Sequence, residues 1–494
     1  MKPKSHELFS TIILSVGTLF LMTGYDTQSF IVESVLHSVN TRDPTLIDSH
    51  AGYYGQAALY AAYALSTLIS PWICYRLGSK WSLFVGSLLF SIYMFGFFSL
   101  NSTYYYGSQI LMGMGFALLY SGQGLYMAEH STRETISRNS SIVGAIGNGG
   151  MCLGGIVLYI LFALAPTDAE KQAMRHSAEH HNHTYQNQTA VVTLTKADVL
   201  QSSYRDFSNF EIQVIYGSFV FVTLLANLVF ILLPQRQFNS LAQSEKVEAP
   251  TIKSQFRLIS EAICEPRILL LASFFICYGL QVSFMLSAFP TSFSFTKSLS
   301  VHHNLPATYS ITIGLGNIIM GAYIAIFSRR WPLFGLIPTM ATQAILAFIT
   351  YFLIWVSIPN LSTIRPTSEE SFLIQPTSFL CLIIGMLLGM ADGCLCPMRV
   401  IVCTLVIPEK KLQTYSVAKL YQSLASCVAF FLSPYLTLNC WIFLLCLAQV
   451  VSITCFVVVS KQISKDHKKI LSEVLAIKRA DISPLGCDEK IAAV

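Results

Sequence analysis

Twelve apolar stretches, most of them long enough to cross a bilayer, recur along this chain with short polar or charged interruptions between them. A hydrocarbon core about 30 Å thick takes roughly 20 residues of helix. Inside it, backbone groups find partners only in helices or in a closed barrel. The chain therefore reads as an all-α membrane protein with twelve transmembrane helices. Only 12% of its residues are charged and 53% are hydrophobic, whereas about a quarter of a soluble domain is charged. That balance excludes a soluble enzyme. The net charge of +5 reflects loop topology and does not imply nucleic-acid binding.

The apolar pattern predicts helices over Leu8–Ile31, Gly52–Cys74, Trp81–Leu100, Tyr104–Met127, Ser141–Ala163 and Val214–Leu233. A second six follow over Ile268–Pro290, Tyr309–Phe327, Trp331–Ile358, Thr377–Met398, Gln413–Leu436 and Asn439–Val459. Residues 1–233 then form one six-helix bundle, with a long outer loop at about 165–210, and 268–460 form the other. A linker, 234–267, and a tail, 461–494, lie in the cytosol. With the N-terminus inside, 23 of the 31 Lys and Arg residues, Arg399 among them, fall on the cytosolic side and seven outside, which puts both termini in the cytosol. The first apolar run has no cleavage signature and reads as a signal anchor.

Sequons test the same orientation, because acceptors are used only on the lumenal face. Asn182, Asn187 and Asn360 fall outside and are the expected glycan sites; Asn101 lies too near the membrane, and Asn139 is cytosolic. His176, His180, His181 and His183 crowd the long outer loop, but no cysteine or carboxylate set completes a metal site there. Cys394 and Cys396 do not share a helical face. No loop carries a nucleotide-binding, nucleophile-elbow or zinc motif, so no cofactor and no enzyme activity are expected. The tail run Asp466 to Leu471 reads either as a dileucine sorting signal or as a basic segment on anionic lipid.

Four runs carry a resemblance. Gly113 to Tyr126 contains Gly122-Gln123-Gly124, and Thr135-Ile136-Ser137-Arg138-Asn139-Ser140 leads into the fifth helix. Gly385 to Gly393 and Ala418-Lys419-Leu420-Tyr421-Gln422-Ser423 follow in helices ten and eleven. Together they resemble the ion-channel-regulator family typified by the nematode uncoordinated-ninety-three protein, a branch of the major facilitator superfamily, over nearly the whole chain. Tyr75 to Lys80 is similar to a degraded form of that superfamily's loop between helices two and three, without its acidic residue. The resemblance implies two six-helix bundles around a midplane cavity. It leaves two functions open: a carrier of a small solute or ion, or an accessory subunit bound to another membrane protein such as a potassium channel. A plasma or endolysosomal membrane suits either.

Ionisable groups at bilayer depth cost about 3 kcal/mol or more and are usually paired or functional. Asp392 and Lys419 reach similar depth and are expected to meet, as a structural clamp or as a titratable switch. Aligning Gly122-Gln123-Gly124 with Ala391-Asp392-Gly393 makes Gln123 the repeat partner of Asp392. Asp26 is expected near the outer mouth. The polar residues available to a cavity are Asp26, Gln28, Gln123, Asn148, Gln281, Asn317, Asp392, Lys419 and Gln422.

Overall fold

The computed structural model describes residues 3–132, 135–164, 207–235, 251–330, 336–407 and 411–482. The N-terminal half contains α1 (Pro3–Ser29), α2 (Val32–Arg42), α3 (Ala51–Thr67), α4 (Ser70–Leu77), α5 (Ser79–Phe95), α6 (Ser102–His130), α7 (Ile136–Leu164) and α8 (Asn209–Ile231). A linker helix, α9 (Ile252–Ile263), leads into the C-terminal half. There follow α10 (Pro266–Ser283), α11 (Phe289–Phe295), α12 (Lys297–Ser300), α13 (Leu305–Arg330), α14 (Ile337–Ser357), α15 (Ser378–Val406), α16 (Lys411–Leu432) and α17 (Leu438–Ile482).

Local chemistry sets these boundaries. Asn101 caps α6, its side chain accepting the Thr103 and Tyr104 amides, and Ser208 and Glu211 form a reciprocal capping box on α8. Pro71 has no N–H to return to the Thr67 carbonyl, and the second span breaks there into α3 and α4 with a 68° bend. Pro290 has the same effect on the seventh span, which widens into a π-turn at Phe284–Ala288. The Tyr309 hydroxyl bonds the Met285 carbonyl at 2.9 Å.

Among the described residues, nine helices are long and apolar enough to cross a membrane, and the bent α3–α4 pair makes a tenth. α6 and α16, of 29 and 22 residues, match a span in length but carry more polar side chains. Three departures from the sequence reading stand out. α15 continues eight residues beyond Met398, to Val406; α17 runs far past the apolar stretch, to Ile482; and the linker is not merely a tether, because Ile259 and Ala262 of α9 enter the inner core of the C-terminal half.

Close approach between backbones holds each half together, as lipid-embedded helices require when no hydrophobic drive separates protein from solvent. A Cβ on Gly113 would stand 2.2 Å from the Leu59 carbonyl of α3, and one on Gly389 would stand 2.1 Å from the Ile313 carbonyl of α13. The two glycines occupy the same place in α6 and α15, which fixes the register of the internal repeat. Ten residues on from each stand Gln123 and Arg399; three residues on stand Phe116 and Asp392. The sequence alignment of Gln123 with Asp392 is therefore off by seven residues. Two helical turns preserve the face, so the small residues still coincided.

Gln281, Gln343 and Gln449 form a buried amide network between α10, α14 and α17. Gln343 Nε2 donates to Gln281 Oε1 at 3.1 Å and to Gln449 Oε1 at 3.2 Å, and Gln449 Nε2 returns a bond of 2.8 Å. Gln281 thus ties helices together rather than facing a cavity. Gln28 does the same in the other half, accepting from the Tyr93 hydroxyl at 3.0 Å.

Candidate functional site

The halves meet at the end of the bundle that carries the loop before α15. The Tyr53 hydroxyl of α3 donates to the Thr363 carbonyl at 2.9 Å, and Thr363 belongs to the loop that precedes α15. Phe30 meets Tyr309 edge-on at 5.4 Å, His37 meets Phe295 at 4.9 Å, and Tyr60 stacks on Phe430 at 5.4 Å. Beneath this lid, α3 and α6 from one half and α10, α15 and α16 from the other bring charged and aromatic side chains together.

Arg399 is the residue that sequence reasoning misplaced. The apolar pattern closes the tenth stretch at Met398 and so puts Arg399 on the cytosolic side, but it lies inside α15 and is only 4% exposed. Its guanidinium stacks over Tyr278 at 4.9 Å and Tyr415 at 5.6 Å and donates to Gln422 Oε1. Its Nε has no partner. The signal was available: Arg399 follows Asp392 by seven residues, which places both on one helical face.

Lys419 is also buried. Its Nζ lies 4.4 Å from the Tyr120 ring, 5.9 Å from Tyr415 and 6.0 Å from Tyr63. Two of those rings belong to the opposite half, so Lys419 bridges the halves through cation–π contact, worth about 2 kcal/mol where water is excluded. The expected direct pair with Asp392 does not form. Asp392 accepts instead from Asn317 Nδ2 of α13 at 3.2 Å, where Gly393 lets α15 pack against the Asn317 backbone, and it also hydrogen-bonds Tyr278. Arg399 and Lys419 act on Asp392 only through space.

Asp26 also departs from its expected place. It is buried rather than open at the mouth, it makes no hydrogen bond among the described residues, and it lies close enough to Asp392 of the other half for their charges to interact. Gln422 sits one turn after Lys419 on α16 and holds Arg399. Gln123 is half-buried, one turn beyond Tyr120 on the same face of α6. Among the described residues, no group of three His, Cys, Asp or Glu side chains is placed to hold a metal ion.

The opposite end of the first half shows what the motifs do locally. Asn139 is buried and donates to Glu7 Oε1 at 2.7 Å and Ser131 Oγ at 3.0 Å, while Thr135 also bonds Glu7. The Thr-x-x-x-Asn spacing thus clamps the start of α1 to the turn between α6 and α7. At the loop after α4, Glu129 of α6 accepts the Ser79 hydroxyl.

A family model described as ion channel regulatory protein UNC-93 matches residues 43–457. The chain belongs to the UNC-93 family. Among curated relatives of this UNC-93 chain, the UNC93-like protein MFSD11 of Xenopus laevis is 23% identical, covering 89% of this chain and 93% of its own length; that of Xenopus tropicalis is 22% identical over the same shares. Solved structures show the major facilitator fold. The transporter FucP in the outward conformation aligns with TM-score 0.57 at 12% identity, covering 92% of this chain and 99% of FucP. The peptide transporter POT in complex with sulfate aligns with TM-score 0.61 at 14% identity, covering 92% and 95%. This UNC-93 member is a multi-pass membrane protein of that fold.

At the end where Tyr53 meets Thr363, the same UNC-93 chain carries an ionisable latch outside the membrane-spanning segments. Glu33 of α2 accepts the Tyr53 amide at 3.0 Å through Oε2, and its Oε1 lies 3.1 Å from His50 Nδ1. The hydrogen bond to Glu33 raises the His50 pKa above its usual value, while burial lowers that of the neighbouring His37. A raised histidine contributes stability that is complete below its unfolded value and is lost as pH climbs through the folded one. His37 works the other way: its contribution is present at higher pH and is lost as pH falls through its lowered value. Closure at this end is thus expected to loosen as pH rises past the raised His50 value, measured as faster deuterium uptake by residues 51–56 and 359–367. Substituting His50→Gln should flatten that profile; an unchanged profile would show that the latch does not set it.

Proposed function

We propose that this protein is a secondary carrier that moves a small solute between its two bundles, with twelve spans, both termini in the cytosol, and residence in the plasma or endolysosomal membrane. The observation that carries the reading is the set of ionisable groups between the halves that have no ion-pair partner among the described residues: buried Asp26 from the first bundle, and buried Arg399 and Lys419 with half-buried Asp392 from the second. A purely structural core gains nothing from such groups, each of which costs several kcal/mol at depth. A path with alternating access uses them to meet cargo and coupling ions at the repeat interface. α6 and α16 complete the twelve spans in this reading, their polarity following from the cavity they line.

The family description favours a second reading, an accessory subunit that binds a channel or other membrane partner without transport. Purified protein in vesicles, screened for uptake of a solute panel beside a pull-down of membrane partners, separates the two. Saturable uptake above protein-free vesicles supports the carrier; a stoichiometric partner with no uptake sinks it.

Orientation has its own test. Asn182 and Asn187 lie outside the described residues and are the proposed glycan sites. Asn360, whose Oδ1 accepts the Asn439 amide at 3.0 Å, is the third proposed site. Glycosidase shifts should vanish when Asn182, Asn187 and Asn360 are all changed to Gln; a glycan on Asn139 would overturn the orientation.

A further inference from the structure

We infer that the central site takes a small organic anion, its carboxylate held between Arg399 and Lys419 and its organic remainder covered by the tyrosine rings around them. The assignment rests on the reading of the inter-bundle site as a solute path. Its physical basis is an imbalance of contacts. Arg399 and Lys419 flank the same Tyr415 ring and act on one another as like charges. Among the described residues neither forms an ion pair, no hydrogen bond runs from Lys419 Nζ, whose contacts are the three tyrosine rings, and the Nε of Arg399 is buried and unpartnered. The nearest carboxylate, Asp392, is engaged by Asn317.

Two cations brought together in low dielectric repel each other, and ring faces offset only part of the cost. An oxyanion between them removes the repulsion and supplies the missing acceptors in one step. A guanidinium favours a planar, two-oxygen partner, which a carboxylate offers. Tyr63, Tyr120, Tyr278 and Tyr415 then present flat surface to whatever the carboxylate carries. Tyr120 and Tyr415 keep part of that surface accessible.

The test uses full-length protein in detergent, with thermal protection and equilibrium binding as readouts and benzoate, its neutral isostere benzamide, and inorganic phosphate as probes. Benzoate should protect the wild-type protein, and benzamide should not. Arg399→Gln and Lys419→Gln should each weaken benzoate binding about tenfold or more, while Lys419→Arg should stay within a few-fold. The melting of each unliganded variant establishes that it is folded. Equal protection by benzamide or by phosphate would overturn the assignment, as would benzoate affinity unchanged in folded Arg399→Gln. Benzoate binding without uptake in vesicles would uphold the anion site while removing the carrier reading. Saturable uptake confined to neutral or cationic solutes would uphold the carrier and remove the anion site.

Discussion

Gly389→Ala is expected to lower the melting temperature in detergent sharply and to divert much of the protein into aggregate, whereas Gly321→Ala leaves it folded. The added Cβ at 389 would press on the Ile313 carbonyl at 2.1 Å, while at 321 nothing lies within 4 Å. A backbone carbonyl cannot rotate aside as a side chain can, so α15 must move off α13. Overpacking of that kind costs about 3 kcal/mol, and in a bilayer no hydrophobic gain returns it. At 321 alanine gains helix propensity, up to about 1 kcal/mol. Equal melting of the two variants, read by size exclusion and thermal scanning, would show that α13–α15 contact is not held by backbone approach. Gly113→Ala should behave like Gly389→Ala, because Leu59 occupies the position of Ile313 in the other repeat.

The repeat explains which parts of the site were legible. Hydropathy exposed the helices because lipid imposes length and composition on every span, and the family showed through short glycine runs that recur where helices touch. The same glycines misled the alignment of the halves. Small residues at intervals of seven return to one face, so Gly122-Gln123-Gly124 matched Ala391-Asp392-Gly393 as well in composition as the true register does. Only the contacts of Gly113 and Gly389 with their neighbouring carbonyls choose between the two. Arg399 was hidden for a related reason. An arginine after Pro397 at the end of an apolar run resembles a cytosolic helix end, and the tyrosines that shelter it come from α10 and α16, far away in sequence. Asp26 was placed by its distance along α1, but depth along one helix does not reveal the lid that α2, α3 and the 359–377 loop build above it.

The corrected geometry reverses the expected coupling between Asp392 and Lys419. Asn317→Leu is expected to be the more destabilising change and Asp392→Asn the milder one, because they do different things to one hydrogen bond. Leucine at 317 takes the amide donor from the Asp392 carboxyl and leaves it only Tyr278, and a lost bond to a charged group costs about 1.5 to 3 kcal/mol. Asparagine at 392 keeps an amide oxygen for Asn317 Nδ2 and removes the charge, so the fold should tolerate it. Transport should order the two the other way: Asp392→Asn removes the group able to take a proton or answer Arg399, and uptake should fall by a hundredfold or so, about 2.7 kcal/mol, with protein still delivered to the membrane. A double-mutant cycle on detergent stability then separates contact from proximity. Asp392 and Asn317 should be coupled by 1 kcal/mol or more, on the order expected for touching residues, and Asp392 and Lys419 by less. Strong coupling of Asp392 with Lys419 and additivity with Asn317 would mean that the aspartate belongs to the lysine after all. The tyrosine cage would then be packing around an ion pair, not a set of surfaces waiting for an anion.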